Sequence, residues 1–158
     1  MAIKVSRLAP GDKSPTFSLA NQDNSSVTSK ELLTTPTIFF FFPAAGSPGC
    51  TKEAVDFQDY LEDFAAQGYQ VVGISPDSVS RLKEFSLSHD LSFQLLSDPD
   101  LAAHRSFGAF GEKNLYGRVY TGVLRSTIVT DENGKINQAL YNVKATGHTN
   151  MLKKRLGI

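Results

Sequence analysis

The sequence predicts a three-layer α/β domain, a mixed β-sheet with helices on both faces. Three observations carry this. In the middle of the chain, strand-like apolar runs alternate with segments of helical periodicity. Two of those runs, residues 36–42 and 69–74, are apolar on both faces, as strands covered from both sides require. Asn133-Gly134 sits between two β-rich runs, so at least one strand pair is antiparallel. At 158 residues the chain fits one domain spanning 1–158 and can bury a core without staples.

Taken in order, residues 16–19 alternate polar and apolar and read as a strand. Residues 21–26 are turn chemistry, and Val27 begins the return of an N-terminal β-hairpin. Ser29 is placed to cap one helical turn through Leu33. The strand at 36–42 ends at Pro43, and a loop rich in Pro, Gly, Ala and Ser runs to Gly49. A long helix is expected over 49–66, with Cys50, Ala54, Phe57, Leu61 and Phe64 on one stripe and Gly68 as its stop. The strand at 69–74 is followed by a helix capped by Ser78 and running to His89, with Leu82 and Phe85 inward. A strand at 93–96 precedes a helix opened by Asp98-Pro99 and reaching Phe107. Residues 119–130 read as one strand, paired through Asn133-Gly134 with 136–141. Thr149 is the expected cap of a last helix, with Met151, Leu152 and Leu156 inward and Gly157 at its end.

Composition narrows the function. Sixteen Lys and Arg balance sixteen Asp and Glu, so there is no electrostatic footprint for nucleic acid or an anionic membrane surface. The Lys153-Lys154-Arg155 run suits a helix C-terminus, where cations meet the negative dipole end. No apolar run approaches a membrane span, and the first seven residues lack the apolar region of a secretory leader. The single cysteine, Cys50, excludes an internal disulfide and a multi-cysteine metal site and fits a reducing compartment, so a soluble cytoplasmic protein is expected. Three histidines and one cysteine show no metal-ligand spacing, and no glycine cluster forms a phosphate loop, so neither metal nor cofactor is expected.

Cys50 stands where the loop enters the long helix. Unpaired backbone N–H groups and the helix dipole there favour a thiolate, the nucleophilic form of sulfur. Taken alone, a lone cysteine also reads as a small buried hydrophobe. Ser47, three residues earlier, offers a hydroxyl to a bound oxygen, or is a plain turn serine. Arg125 is placed by strand alternation on one face with Val123, Thr127 and Val129, or lies exposed at a strand end. Glu53, one helical turn beyond Cys50, can orient an arginine or be a solvated first-turn carboxylate. His89 reads as a helix end, His104 as a surface or packing residue, and His148 as a neighbour of the last cap; nothing local supports a Cys–His hydrolase pair.

The segment 39–54, with Pro43, Ser47 and Cys50 in the spacing Pro-x-x-x-Ser-x-x-Cys, resembles the peroxiredoxin active-site loop. Pro-Gly-Cys-Thr-Lys-Glu at 48–53 is similar to the Q-type subfamily, also called bacterioferritin comigratory protein. The similarity continues in order through Gly-Ile-Ser-Pro-Asp (73–77), Leu-Ser-Asp-Pro-Asp (96–100), Gly-Glu-Lys-Asn-Leu-Tyr-Gly (111–117), Arg-Ser-Thr-Ile-Val (125–129) and Lys-Ala-Thr-Gly-His (144–148).

The resemblance implies a thioredoxin-like fold and a thiol-dependent reduction of hydrogen peroxide and small organic hydroperoxides. Cys50 attacks the peroxide, Ser47 and Arg125 bind it, and Pro43 shields the thiolate. Glu53 and Gly49 support the site, and Tyr116-Gly117 line its mouth. Many Q-type members carry a resolving cysteine five residues after the first or in the next helix. Those positions here are Val55 and about Ser86, so an external thiol (thioredoxin, a glutaredoxin-like protein or a low-molecular-weight thiol) must complete the cycle. The subfamily favours a monomer. A peroxide-sensing redox protein and an inactive scaffold on the same fold stay open as other readings.

Overall fold

A computed structural model describes residues 7–158; the leader reading rests on residues of which six lie outside the described ones. The centre is β3 (Thr37–Phe41), buried along its whole length. Its alternation sends Ile38 and Phe40, with Phe42 just beyond, to one face, and Phe39 and Phe41 to the other. Each face is covered. Phe57, Phe64, Leu82, Phe85 and Leu152 pack on the first, and Leu32, Phe107 and Ile136 on the second. Two apolar layers around one sheet are what a strand without a polar face requires.

The N-terminal hairpin forms from β1 (Ser18–Asn21) and β2 (Ser26–Thr28), two residues later than the expected first strand. The Asn21 side chain accepts from Asp23 N and Ser25 N and so builds the turn. Helix α1 (Ser29–Leu32) is capped by Thr28, not Ser29. Thr28 Oγ1 accepts from Glu31 N and donates to Glu31 Oε1, while Ser29 Oγ instead accepts from Phe17 N.

The helix expected over 49–66 is two helices, α2 (Pro48–Asp59) and α3 (Leu61–Ala66), hinged at Tyr60. No Gly or Pro marks the hinge, and the Phe64 N to Tyr60 O hydrogen bond keeps α3 in line to bury Phe64. Strand β4 (Gln70–Ser75) and α4 (Val79–Ser88), capped by Ser78, follow as expected, then β5 (Gln94–Ser97).

Helix α5 spans Ala102–Ser106, shorter than the run expected from Asp98-Pro99. Leu101 takes a left-handed φ of 64°, and Asp98 reaches past it to accept from Ala103 N, His104 N and His104 Nδ1. Burial pushes the Asp98 carboxyl up, but these hydrogen bonds outweigh it and hold Asp98 below the usual range.

The strand expected over 119–130 divides. Strands β6 (Phe110–Leu115) and β7 (Arg118–Val123) form a separate two-stranded antiparallel sheet, and β8 (Ser126–Thr130) belongs to the main one. Tyr116 and Gly117 both have positive φ, 51° and 78°, as a two-residue hairpin turn needs. The main sheet runs β2-β1-β5-β4-β3-β8-β9, with β9 at Ile136–Leu140. Strand β3 is parallel to β4 and antiparallel to β8.

Helix α6 (His148–Arg155) is led by Gly147 at φ 77°, not by Thr149, which lies buried inside its first turn. Of the residues expected inward on it, Leu152 is buried and Leu156 packs on the core, whereas Met151 is exposed. No helix among the described residues is long and apolar enough to cross a membrane.

Candidate active site

The site is built where β3 ends and α2 begins. Pro43 stops the strand, half-buried, and the loop turns through Gly46 at φ 90°. The loop is pinned from the neighbouring strand end. Ala45 N donates to Asp77 Oδ2 at 2.7 Å, and Ser75 Oγ donates to the same oxygen at 2.8 Å. Ser47 then caps α2, its Oγ accepting from Cys50 N at 3.4 Å and donating to Ala44 O at 3.0 Å. Pro48 takes the first helical position, where its missing N–H costs no hydrogen bond. This sets Cys50 in the first turn of α2, fully buried.

Arg125 reaches the sulfur from the other side. Its Nη2 donates to Cys50 Sγ at 3.3 Å, and its Nη1 donates to Glu53 Oε1 at 2.7 Å. Cys50 and Glu53 lie one turn apart on α2, so one planar guanidinium spans both. Gly49 makes room for it: a Cβ at that position would stand 3.3 Å from Arg125 Nη2 and 3.6 Å from Ala145 Cβ. Arg125 is on neither β7 nor β8. The chain leaves the two-stranded sheet at Val123 and enters the main sheet at Ser126, and Arg125 stands in that crossing, its carbonyl accepting from Val143 N at 2.9 Å. The expected alternation with Val123, Thr127 and Val129 therefore does not place it; the change of sheet does.

Glu53 is fully buried, with Oε2 lacking a partner among the described residues. Burial pushes its carboxyl up to about 7, against the pull of Arg125. The arrangement couples a buried thiol to a cation that is itself anchored by a carboxylate. Chemically, that sets a cation against the sulfur and offers guanidinium N–H groups to an oxygen approaching it.

The sequence-predicted residues Ser47, Gly49, Cys50, Glu53 and Arg125 thus meet in one place, with Pro43 four residues from Ser47 on the same loop. Val55 is half-buried on α2, and Ser86 is buried on α4 with its hydroxyl donating to Leu91 O at 3.0 Å. His89 ends α4 against the Phe85 ring, as expected. His104 is fully buried on Asp98 and not on a helix surface. His148 begins α6 and pairs through Nε2 with Thr127 Oγ1 at 2.7 Å. Burial, then the charges of Arg125 and Arg155, push it down to about 4. Among the described residues no histidine bonds the thiol, and Arg125 is its one side-chain partner.

Two further residues belong to the site's surroundings. Asp77 closes the Gly-Ile-Ser-Pro-Asp run, and a carboxylate two residues past a strand end was the available signal. Lys113, half-buried on β6 with its Nζ over the Tyr120 ring, lies close enough for the charges of Arg125 and Cys50 to act on it. Burial, then Arg125, hold it below the ordinary lysine range. Tyr116-Gly117, expected at the site's mouth, form the turn of the β6–β7 hairpin, with Tyr116 exposed.

Comparison with known proteins agrees with this geometry. The model of the AhpC/TSA family matches residues 10–139. A Mycobacterium tuberculosis protein named as a peroxiredoxin is 49% identical over 155 residues, covering 98% of this chain and 99% of the relative. The solved bacterioferritin comigratory protein of Xanthomonas campestris, described in terms of its alkyl peroxide reduction activity, superposes with a TM-score of 0.84 at 30% identity, over 98% of both chains. Peroxiredoxin Q of the same organism superposes at 0.83, 33% identical over 89% of this chain and 90% of that one. It is solved as two cysteine-to-serine variants, and the two cysteines stand as far apart in sequence as Cys50 and Ser86 do here. An arginine-bound thiol at a helix start, a thioredoxin-like sheet and near full-length similarity converge: the chain belongs to the AhpC/TSA family as a Q-type peroxiredoxin, a thiol-dependent peroxidase.

Proposed function

We propose that the chain acts as one catalytic unit, a cytoplasmic monomer that reduces hydrogen peroxide and small organic hydroperoxides through Cys50. The Cys50 thiolate attacks one peroxide oxygen. The O–O bond breaks, its electron pair leaves with the distal oxygen, and that oxygen takes a proton from solvent to become water or alcohol. Cys50 becomes a sulfenic acid. An external thiol, supplied by thioredoxin, a glutaredoxin-like protein or a low-molecular-weight compound, then displaces water to form a mixed disulfide. A second thiol releases Cys50.

Arg125 stabilises the charge as it passes from sulfur to the leaving oxygen, and Glu53 aims it. Ser47 holds the loop and meets the peroxide, Gly49 leaves space for the guanidinium, and Pro43 shields the sulfur. One observation carries this reading: Arg125 bonds Cys50 and Glu53 with two nitrogens of the same plane.

The test is peroxide consumption with thiol donors, alongside stopped-flow oxidation of the reduced protein. Cys50→Ser should abolish turnover. Arg125→Met should slow oxidation about 100- to 1,000-fold, the usual consequence of deleting one donor from a preorganised site. Turnover surviving in Cys50→Ser, or wild-type oxidation in Arg125→Met, would overturn it.

A further inference from the structure

A cleft of about 130 Å³ lies between the active-site loop and α4. Ala45 and Gly46 form one wall. The other is the face of α4 that carries Arg81, Glu84, Phe85 and Ser88, neighbours at three- and four-residue spacing, closed at the helix end by His89 against the Phe85 ring. The cation is fixed at the loop end: Arg81 Nη2 donates to Ala45 O at 3.4 Å, and its Nε stands 3.6 Å from Asp77 Oδ1. Glu84, one turn along, has no hydrogen bond or ion pair among the described residues. Phe85 is buried beneath them, in the same apolar cluster as Cys50 and Phe42.

The volume is below the roughly 300–1,000 Å³ of sites for drug-sized ligands, and suits a group of amino-acid size. One cation and one anion a turn apart over an aromatic floor complement an α-amino-carboxylate. The place also matters. In X. campestris peroxiredoxin Q the two cysteines replaced in its variants are spaced in sequence as Cys50 and Ser86 are here, and Ser86 lies on α4 next to Phe85. Here that residue is a serine bonded to Leu91 O, so any second sulfur comes from outside the chain.

We propose that the cleft is a subsite for a low-molecular-weight thiol carrying an α-amino-carboxylate head. The carboxylate pairs with Arg81, the ammonium with Glu84, and the methylene chain lies on Phe85. This rests on the peroxidase reading above. The docked thiolate attacks the Cys50 sulfenic sulfur, an S–S bond forms, and the S–O bond breaks with release of water after protonation. A second molecule of the thiol then reduces the mixed disulfide, leaving Cys50 as thiol and the small thiol as its own disulfide.

The experiment starts from Cys50 sulfenic acid, formed with one equivalent of hydrogen peroxide and verified by mass. Its rate of mixed-disulfide formation is measured with glutathione, 2-mercaptoethanol, 3-mercaptopropionate and cysteamine, each corrected for its thiolate fraction. Glutathione, with both charges on its γ-glutamyl head, should react about three- to tenfold faster than 2-mercaptoethanol, as two solvent-exposed ion pairs would give. Glu84→Gln should bring that ratio toward one, and raised salt should shrink it in the wild type. The ratio is read on one sulfenic acid, so effects on the peroxide step cancel. Failure to form any sulfenic acid would sink the peroxidase reading itself. A sulfenic acid that reacts with all four thiols alike, or with 3-mercaptopropionate as fast as with glutathione, or with an undiminished ratio in Glu84→Gln, would overturn the subsite alone.

Discussion

At Gly49 the absence of a side chain decides how two charged groups meet. The guanidinium of Arg125 lies over the first turn of α2 because no Cβ stands there. A methyl group 3.3 Å from Nη2 is tighter than packed atoms accept, so the arginine must withdraw by a few tenths of an ångström. Displacements of about 1 Å at a reacting centre cost on the order of 100-fold. Gly49→Ala is therefore expected to slow peroxide oxidation of Cys50 on the order of tenfold while the circular dichroism spectrum stays that of the parent; stopped-flow rates equal to wild type would contradict it. This residue was legible in the sequence as part of a loop, but its purpose was not, since Arg125 lies far along the chain. Pro43, Ser47 and Cys50 were legible because a strand end, a cap and a helix start lie within eight residues. Asp77 carried a local signal, a carboxylate just past a strand end, but its partner Ala45 and the neighbours of Lys113 lie across gaps in sequence that no local pattern spans.

Among the elements, α6 docks its first residue, His148, against β8 through Thr127, with Nδ1 buried and unpartnered among the described residues. Burial, then Arg125 and Arg155, lower its proton affinity to about 4 from an ordinary value of 6.5. A depressed folded-state value means that the folded form binds the proton less well than the unfolded chain. The contribution to stability is complete above 6.5 and is lost as pH falls toward 4, and it amounts to on the order of 3 kcal/mol. Glu53 acts in the opposite sense, because its raised value favours the folded form once protonated, as pH falls through 7. Urea midpoints of wild type and His148→Gln at pH 7 and pH 4.5 separate the two. The wild type should lose more stability between these pH values than the variant, and equal losses would refute the assignment. Element boundaries also show what periodicity cannot see. Residues 119–130 are uniformly strand-like, and the passage from one sheet to another at Leu124 and Arg125 depends on which strands lie alongside. The turn at Tyr116-Gly117 escaped because only the glycine signals it.

For the molecule as a whole, the sheet order was beyond sequence reasoning, whereas its three layers were legible from the unbroken apolar runs. The Leu95 and Phe40 side chains of the flanking strands close over Gly73, where a Cβ would stand 2.8 Å from both Leu95 Cδ2 and Phe40 Cζ. Overpacking of this kind costs about 1–3 kcal/mol. Gly73→Ala should lower the urea midpoint accordingly at an unchanged slope, and a midpoint matching wild type would show that the Phe40 and Leu95 side chains yield freely. At this same scale the single sulfur has a further meaning. With Cys50 the one cysteine of the sequence, the molecule has no second sulfur to take over the oxidised state. Every pair of electrons passed to peroxide must be drawn at once from a thiol in the surroundings. The fraction of molecules resting as sulfenic acid is then a ratio of two fluxes, peroxide arriving over thiol arriving. When the second falls behind, the next peroxide converts the waiting sulfur to sulfinic acid, so the chain is spent in proportion to the shortfall.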